Sequence, residues 1–208
     1  MSLVPQSNVR VGKHTDPVWQ IRWQEDEMSK SLQFYSVSTD GRVAMWSVTK
    51  AEVEMSVAME LRLMSTRAEE EEEDEDAMIN ALAGGCCFDF NQAQGHLFVV
   101  GTEEGLIHKC SKAYNSQYLD TYNAHQMPVY AVRWNHLHPR VFLSASADWS
   151  VKLWDHTSSE RPFLSFDLGS PVGDAVWAPY SSTVFAAVVR SRGSYTRDAR
   201  QKRTRCVI

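Results

Sequence analysis

Apolar and polar residues alternate in short runs through segment 124–155, AHQMPVYAVRWNHLHPRVFLSASADWSVKLWD. The first run leads into Trp134, the second covers residues 141–146, and the third ends at Trp154. Turn-forming residues, Asp148 among them, separate the runs. Short alternating runs joined by turns predict an antiparallel meander of β-strands.

The same spacing of prolines, aspartates and tryptophans returns along the chain. Pro17 lies six residues before Trp23, as Pro128 lies six before Trp134, and Trp177 follows Trp134 by 43 residues. A period near 43 predicts an array of similar supersecondary units. We divide the chain into a lead-in at 1–12, a repetitive region at 13–189 with units at about 13–64, 84–122, 123–165 and 166–189, an acidic loop at 65–80, and a tail at 190–208.

The units differ in completeness. In the first unit, strict alternation over residues 51–63 predicts a long fourth strand, although the Ala, Met, Glu and Leu content also favours a helix. In the second unit, Thr102, Glu104 and Cys110 stand where the third unit has Ser, Asp and Trp, and the upstream His is missing. The fourth unit supplies two strands, and its pattern then stops at Val189.

Charge is unevenly distributed along the 208 residues. The net charge is −5, but the tail at 190–208 holds seven basic residues and one acid, so residues 1–189 carry −11. An acidic folded region disfavours nucleic-acid binding. The tail has few apolar residues and is expected to be disordered. Eight consecutive acids predict a solvated loop, or alternatively a docking surface for a basic partner: Glu69, Glu70, Glu71, Glu72, Glu73, Asp74, Glu75 and Asp76.

The four cysteines form no Cys-x-x-Cys pair, so we expect buried thiols and no metal site, although Cys86 and Cys87 with His108 and Cys110 could suggest zinc. No signal-peptide core and no apolar run near 20 residues is present, which predicts a protein of the cytoplasm with no membrane contact. The final Cys-Val-Ile is one residue short of a prenylation box.

The period, four strands per unit and the recurring polar set resemble the WD-repeat β-propeller family. The resemblance implies four-stranded blades, each tied together by a buried hydrogen-bonded chain of His, Ser, Asp and Trp. It also implies an all-β fragment of three blades and part of a fourth, which does not close. The implied structural tetrads are His125, Ser146, Asp148 and Trp154, and His14, Ser38, Asp40 and Trp46.

Ser146, His125 and Asp148 are also the residue types of a hydrolase triad. A nucleophilic serine needs an exposed sharp turn, and SASAD is not a Gly-x-Ser-x-Gly elbow. The set recurs over residues 14–46 at the same offsets, which structural repetition explains and a single active site does not. The stretch at 101–105, GTEEG, lacks the Lys-Ser/Thr of a phosphate-binding loop. The sequence therefore predicts a protein without catalytic activity and without a cofactor.

Several segments are similar to the WD-repeat half of axonemal dynein intermediate chains of the outer-arm type, notably GTEEGLIHKCSK and VGDAVWAPYSSTVFAAV. This resemblance implies a scaffold subunit of the axoneme that holds a dynein heavy chain and pairs with a second intermediate chain. The blade motifs alone would equally allow a general WD-repeat adaptor in ubiquitin ligation or trafficking.

A closed propeller needs at least four blades. We therefore expect the chain to be a fragment, a splice form or a product of a shifted reading frame at Arg190, with sheet faces that need a partner. Candidate interface residues are the acidic run and three side chains in turns, Trp149, His136 and His138. Partial packing of these three side chains on their own blade is the alternative.

Overall fold

The computed structural model describes residues 12–25, 32–48, 53–63, 81–189, 194–198 and 204–207. In these ranges the chain forms sixteen β-strands in four sheets of four, each with its strands in chain order. Over the same ranges, no helix has the length and apolar character that would let it cross a membrane. The acidic run at 69–76 lies outside the described residues.

The first two sheets each contain four strands that are consecutive in the sequence. The first sheet contains β1 (Val18–Glu25), β2 (Leu32–Ser38), β3 (Arg42–Val48) and β4 (Val53–Glu60). The second sheet contains β5 (Gly85–Phe90), β6 (Leu97–Thr102), β7 (Leu106–Ser111) and β8 (Asp120–Asn123).

The remaining two sheets repeat this plan. The third sheet contains β9 (Val129–Trp134), β10 (Val141–Ser146), β11 (Ser150–Asp155) and β12 (Leu164–Asp167). The fourth sheet contains β13 (Val172–Trp177), β14 (Val184–Val189), β15 (Ser194–Asp198) and β16 (Thr204–Val207).

Residues 1–85 form one compact unit, which holds the first sheet. Phe34 on β2 pairs with Trp23 on one side and with Trp46 on the other. The rings of Phe34 and Trp46 stack with centroids 5.8 Å apart. The segment whose composition also favoured a helix is a strand, β4, which pairs with β3. Alternation with a period of two therefore outweighed the helix propensity of single residues.

Residues 86–208 form a second compact unit, which holds the third and fourth sheets and nearly all of the second. The third sheet uses the register of the first, because Phe142 pairs with both Trp134 and Trp154. Its two faces are buried in separate cores. One core joins it to the second sheet through Val99, Ile107, Tyr122, Val132, Trp134 and Phe142. The other joins it to the fourth sheet through Leu143, Val151, Leu153, Trp177, Phe185 and Ala187.

The fourth sheet takes two of its strands from segment 190–208, which the sequence analysis expected to be a disordered tail. Strand β15 pairs with β14, and β16 pairs with β15, both antiparallel. Without β15, one edge of β14 would present a row of unpaired backbone N–H and C=O groups. Backbone pairing satisfies those groups irrespective of apolar content, and the scarcity of apolar residues was the feature used to predict disorder. The fourth sheet therefore has four strands within residues 172–207.

The all-β class and the WD-repeat architecture predicted from the sequence are confirmed. Four-stranded meanders recur, and aromatic residues occupy equivalent register positions in the first and third sheets. The β1–β2 and β9–β10 pairs also share an irregularity in their register at the same place, next to Ser38 and Ser146. A register irregularity of this kind is a β-bulge, and it lies beside a conserved-spacing serine in both the first and the third sheet.

Candidate functional site

The third sheet carries a continuous chain of side-chain hydrogen bonds. The indole Nε1 of Trp154 donates to the Ser144 Oγ at 2.9 Å. The Ser144 hydroxyl lies 2.7 Å from His125 Nε2, and His125 Nδ1 lies 2.8 Å from Asp148 Oδ2. Every donor in this hydrogen-bond network is used when the Ser144 hydroxyl donates to His125 Nε2 and the imidazole carries its proton on Nδ1. The network ties the loop before β9 to the turn between β10 and β11.

The first sheet repeats the network with the same atoms. Trp46 Nε1 donates to Ser36 Oγ at 2.7 Å, and the same oxygen lies 2.7 Å from His14 Nε2. His14 Nδ1 lies 2.9 Å from Asp40 Oδ2, which also accepts from the Arg42 guanidinium at 3.1 Å. Two copies of one geometry on two sheets are what a repeated structural element produces.

The serines predicted for the networks, Ser146 and Ser38, were wrong, because Ser144 and Ser36 take those positions. Ser146 lies next to the network, where its hydroxyl donates to the Met127 carbonyl at 3.0 Å and accepts from the Asp148 N–H at 3.2 Å. Because Trp154 pairs with Phe142 across the ladder, Ser144 is the diagonal neighbour within reach of the indole. Ser146 is two residues further along the same strand.

Ser38 has the corresponding position in the first sheet. Its hydroxyl donates to the Asp16 carbonyl at 3.1 Å and accepts from the Asp40 N–H at 3.2 Å. Both Ser36 and Ser38 are buried. Serines recur ten and eight residues before the tryptophan in both units, so spacing alone did not distinguish the two positions.

The pKa shifts of His125 and Asp148 favour one protonation state of the network at neutral pH. Burial lowers the pKa of His125 below its ordinary value of 6.5, although Asp148 opposes the shift. Burial by itself would raise the pKa of Asp148, but hydrogen bonds from Ser150 and His125 and the interaction with the His125 charge hold it below 3.8. At neutral pH the pair is therefore a neutral imidazole beside a carboxylate.

The geometry also bears on the hydrolase alternative. Ser144 and Ser146 are both fully buried, with 0% of their surface exposed. The Ser144 oxygen is occupied by Trp154 and His125. A nucleophile must reach a substrate and keep a lone pair available for attack. Neither serine meets those requirements in this arrangement.

The second sheet replaces the network with a different buried histidine. His108 is completely buried, its Nδ1 lies 3.0 Å from Thr121 Oγ1, and its ring stacks on Tyr118 at 3.9 Å between centroids. Burial lowers its pKa to about 4. Thr102, placed by the sequence at a network position, donates instead to the Leu106 carbonyl at 3.4 Å. His108 was considered only as a zinc ligand, although its place in an alternating strand is a signal for burial.

The thiols near His108 are also buried. Burial is the largest cause of the raised pKa values of Cys86, Cys87 and Cys110, and it brings that of Cys86 to about 12. Among the described residues, no three His, Cys, Asp or Glu side chains lie close enough to hold a metal ion.

The candidate interface residues lie at opposite ends of β10. Trp149 occupies the turn between β10 and β11, and its side chain is 49% exposed. His136 and His138 occupy the turn between β9 and β10, where the His136 Nε2 donates to the Pro179 carbonyl at 2.9 Å. His138 is exposed. The structure therefore does not bring the three side chains together.

Trp149 has a left-handed backbone, with φ of 72°. The equivalent turn residues in the first two sheets are glycines, Gly41 with φ of 76° and Gly105 with φ of 89°. A non-glycine residue in this region is strained by roughly 1–2 kcal/mol. The sequence contained a signal for this feature, since a bulky residue stands where two other repeats have glycine.

Comparisons with known proteins agree with the repeated geometry. The family described as WD domain, G-beta repeat, matches residues 116–155. The chain is 56% identical to "Dynein intermediate chain 2, ciliary" from Heliocidaris crassispina over 183 residues, which are 88% of this chain and 26% of that protein. It is 48% identical to "Dynein, 78 kDa intermediate chain, flagellar outer arm" from Chlamydomonas reinhardtii over 191 residues, 88% of this chain and 27% of that protein.

A third relative is "Dynein axonemal intermediate chain 1" from Bos taurus, which is 49% identical over 79% of this chain and 23% of its own length. The chain thus spans about a quarter of the length of the curated relatives that it matches. The WD domain and these relatives indicate no enzymatic family. The resemblance stated from the sequence is confirmed: this chain carries a WD repeat and is homologous, over most of its length, to axonemal dynein intermediate chains.

Proposed function

We propose that the chain serves as a non-catalytic WD-repeat scaffold subunit of an axonemal dynein motor complex. The observation that carries the proposal is the 56% identity over 183 residues with a ciliary dynein intermediate chain. Identity at this level over 88% of the chain extends well beyond the few positions that define a WD repeat. The protein is placed by this proposal in the axoneme of cilia or flagella.

The contacts of the polar side chains support a scaffold. The serine, histidine and aspartate side chains with the residue types of a hydrolase form two internal networks, each anchored by a tryptophan. In the second unit, apolar cores join one sheet to the next. A protein built in this way acts by presenting its surface to other proteins, without a cofactor and without a small-molecule substrate. By resemblance, its partners are a dynein heavy chain and a second intermediate chain.

Affinity purification of the tagged chain from ciliated cells tests the proposal. We expect dynein heavy chains and a second intermediate chain to be enriched at least tenfold over a purification with an unrelated WD-repeat protein as the matched control. Enrichment of a ubiquitin-ligase core or a trafficking coat in place of heavy chains would support the general adaptor and overturn the proposal.

A further inference from the structure

The first sheet exposes a face whose counterpart in the third sheet is buried. Because β1 pairs with β2 as β9 pairs with β10, Trp23 takes the position of Trp134, but Trp23 is 66% exposed and Trp134 only 5%. Ile21 takes the position of Val132, with an exposure of 58% against 0%. In the third sheet this face packs on the second sheet in one apolar core. We call its counterpart in the first sheet the aromatic face, defined by four residues: Ile21, Trp23, Phe34 and Trp46.

A cavity of about 340 Å³ opens on the aromatic face. Apolar side chains form most of its wall, among them Val18, Phe34 and Val53. The two polar side chains of the wall, His14 and Ser36, are hydrogen-bonded to each other at 2.7 Å. Because these polar groups already have partners, the cavity favours an apolar occupant. Its volume lies within the range of about 300–1,000 Å³ that is typical of cavities for bulky apolar groups.

Trp23 projects from the same face and is not part of the cavity wall. Its ring packs edge-on against Phe34, with 5.3 Å between centroids, so the indole is held on one side while most of it is exposed. Tryptophan offers a large contact area at a low cost in conformational entropy. The aromatic face therefore combines a protruding aromatic side chain with an apolar cavity. Across a two-fold axis each copy can supply one to the other, because such an interface is self-complementary.

Charge and area also fit a second copy of the chain. Two rows of paired residues cross the centre of the aromatic face, and neither row contains an ionisable residue: Ile21, Ser36, Ala44 and Val57, and Trp23, Phe34, Trp46 and Met55. Like charges therefore do not oppose each other there when two copies meet. Four strands of seven or eight residues form a face of about 500 Å², so two copies would bury roughly 1,000 Å², the lower limit for a specific interface.

We propose that two copies of the chain associate through their aromatic faces, with Trp23 of each copy seated in the cavity of the other. A two-fold contact of this kind uses the same face on both copies, so it closes on itself as a dimer. The inference goes beyond the proposed scaffold role and does not depend on it, because it rests on the first sheet alone.

Sedimentation equilibrium of the full 208-residue chain over a hundredfold range of concentration tests the proposal. We expect a reversible monomer–dimer equilibrium, with the apparent mass rising from 23.6 kDa toward twice that value. Added salt should not weaken the dimer, because screening acts on charges and the contact is apolar. A chain that stays monomeric at every concentration, or whose mass rises without limit beyond the dimer, would overturn the inference.

Two variants address the two parts of the contact. Trp23→Lys removes the protruding ring, and Val18→Lys places a charge in the wall of the cavity. Each should raise the dissociation constant of the dimer at least tenfold. Tyr180→Lys is the matched control, since it makes the same change of charge at an aromatic side chain that is 81% exposed in the second unit. The control should leave the dissociation constant unchanged, and an equal loss in all three variants would contradict the proposed face.

A mixture of Trp23→Lys and Val18→Lys tests the reciprocal geometry. In this pair the intact Trp23 of one chain meets the intact cavity of the other, whereas a dimer of either variant alone has no such match. The mixture should therefore associate at least threefold more tightly than either variant by itself. If the mixture and the single variants have equal affinity, Trp23 is not seated in the cavity and the proposal fails.

Far-UV circular dichroism of each variant at the lowest concentration shows whether it folds. Both replaced side chains are more than 40% exposed, so we expect the spectrum of the unaltered chain. If only Trp23→Lys loses the fold, the comparison of Val18→Lys with Tyr180→Lys still decides the question. Unfolding of both would show that the aromatic face is needed within its own chain, which overturns the inference.

Co-purification from ciliated cells separates this inference from the proposed function. If heavy chains are recovered equally with the unaltered chain and with Trp23→Lys, the scaffold role stands, and sedimentation alone decides whether the chain dimerises. If the isolated chain is monomeric and Trp23→Lys loses its heavy chains, the aromatic face belongs to a contact with a different protein and the dimer proposal is wrong.

Discussion

The Ser144 hydroxyl is the point at which both arms of the third-sheet network meet. It accepts from the Trp154 indole and lies within hydrogen-bond distance of His125, and all three side chains are buried. A buried donor without a partner costs about 1–3 kcal/mol, which is more than a satisfied hydrogen bond contributes. Disrupting the network therefore lowers the free energy of unfolding mainly because buried polar groups are left without hydrogen-bond partners.

Ser144→Ala is expected to lower the free energy of unfolding by about 2–3 kcal/mol, because it leaves both the Trp154 N–H and the His125 Nε2 buried without a partner. Ser146→Ala should cost about 1 kcal/mol, since its bonds are to backbone groups nearer the surface. Urea unfolding of both variants measures the difference, with Ser165→Ala on the exposed edge as the control. A larger loss for Ser146→Ala than for Ser144→Ala would contradict the assignment of the network.

His108 predicts a dependence of stability on pH. Its pKa in the folded chain is about 4 against an ordinary value of 6.5, so the unfolded chain binds the proton more readily. The stabilisation from keeping this imidazole neutral is complete above pH 6.5 and is lost as the pH falls toward 4. The loss amounts to roughly 3 kcal/mol, at about 1.4 kcal/mol per pKa unit.

Urea unfolding of the unaltered chain and of His108→Gln between pH 7 and 4.5 measures this contribution. The free energy of unfolding of the unaltered chain should fall more steeply over that interval than that of the variant. Curves that remain parallel would show that His108 is not the titrating group.

At the scale of the element, the turn between the second and third strands has a left-handed backbone at one position in each of the first three sheets, and the residue at that position varies. Gly41, Gly105 and Trp149 share a positive φ, yet they differ in what surrounds them. Space is absent at Gly105 and present at Gly169, whose φ is also positive. The cost of a side chain in these positions is therefore set by the neighbouring chain as well as by the backbone.

Gly105→Ala should reduce the free energy of unfolding by about 2–4 kcal/mol, because the new Cβ combines left-handed strain with a contact of 2.3 Å to the His125 carbonyl oxygen. Gly169→Ala is the matched variant, with similar strain and open space, and should cost about 1 kcal/mol. Thermal or urea unfolding compares the two. Equal losses would mean that the close approach at Gly105 relaxes without cost.

The sequence predicted the strands and their repeat because a period of two is visible wherever one face is buried. It predicted that Trp46 and Trp154 are equivalent, and the ladder confirms this, since each pairs with a phenylalanine of the preceding strand in the same register. It did not distinguish Ser144 from Ser146, since the distinction depends on which residue lies diagonal to the indole across the ladder.

Two other features were beyond the sequence pattern. Strand β15 forms by pairing with β14, and backbone pairing leaves little trace in composition or charge. The strain at Trp149 follows from a turn geometry that only comparison among the repeats suggests. Both features depend on contacts between segments, whereas periodicity reports on a segment by itself.

At the scale of the whole molecule, the chain is divided into two compact units, each built from the same kind of sheet. Within the second unit, each face of the third sheet is covered by a neighbouring sheet. The serine, histidine and aspartate side chains that might have suggested catalysis form hydrogen bonds inside sheets. Exposed aromatic side chains lie both in strands, as Trp23 and Tyr130 do, and at turns, as Trp149 and Tyr180 do. Function at this scale is therefore proposed to come from surfaces that other proteins contact.

The most direct test of the scaffold role is sedimentation of the tagged chain in a sucrose gradient after high-salt extraction of axonemes. The account predicts that the chain sediments together with dynein heavy chains. Sedimentation of the unaltered chain entirely as a free protein, with heavy chains migrating normally in the same gradient, would contradict the account.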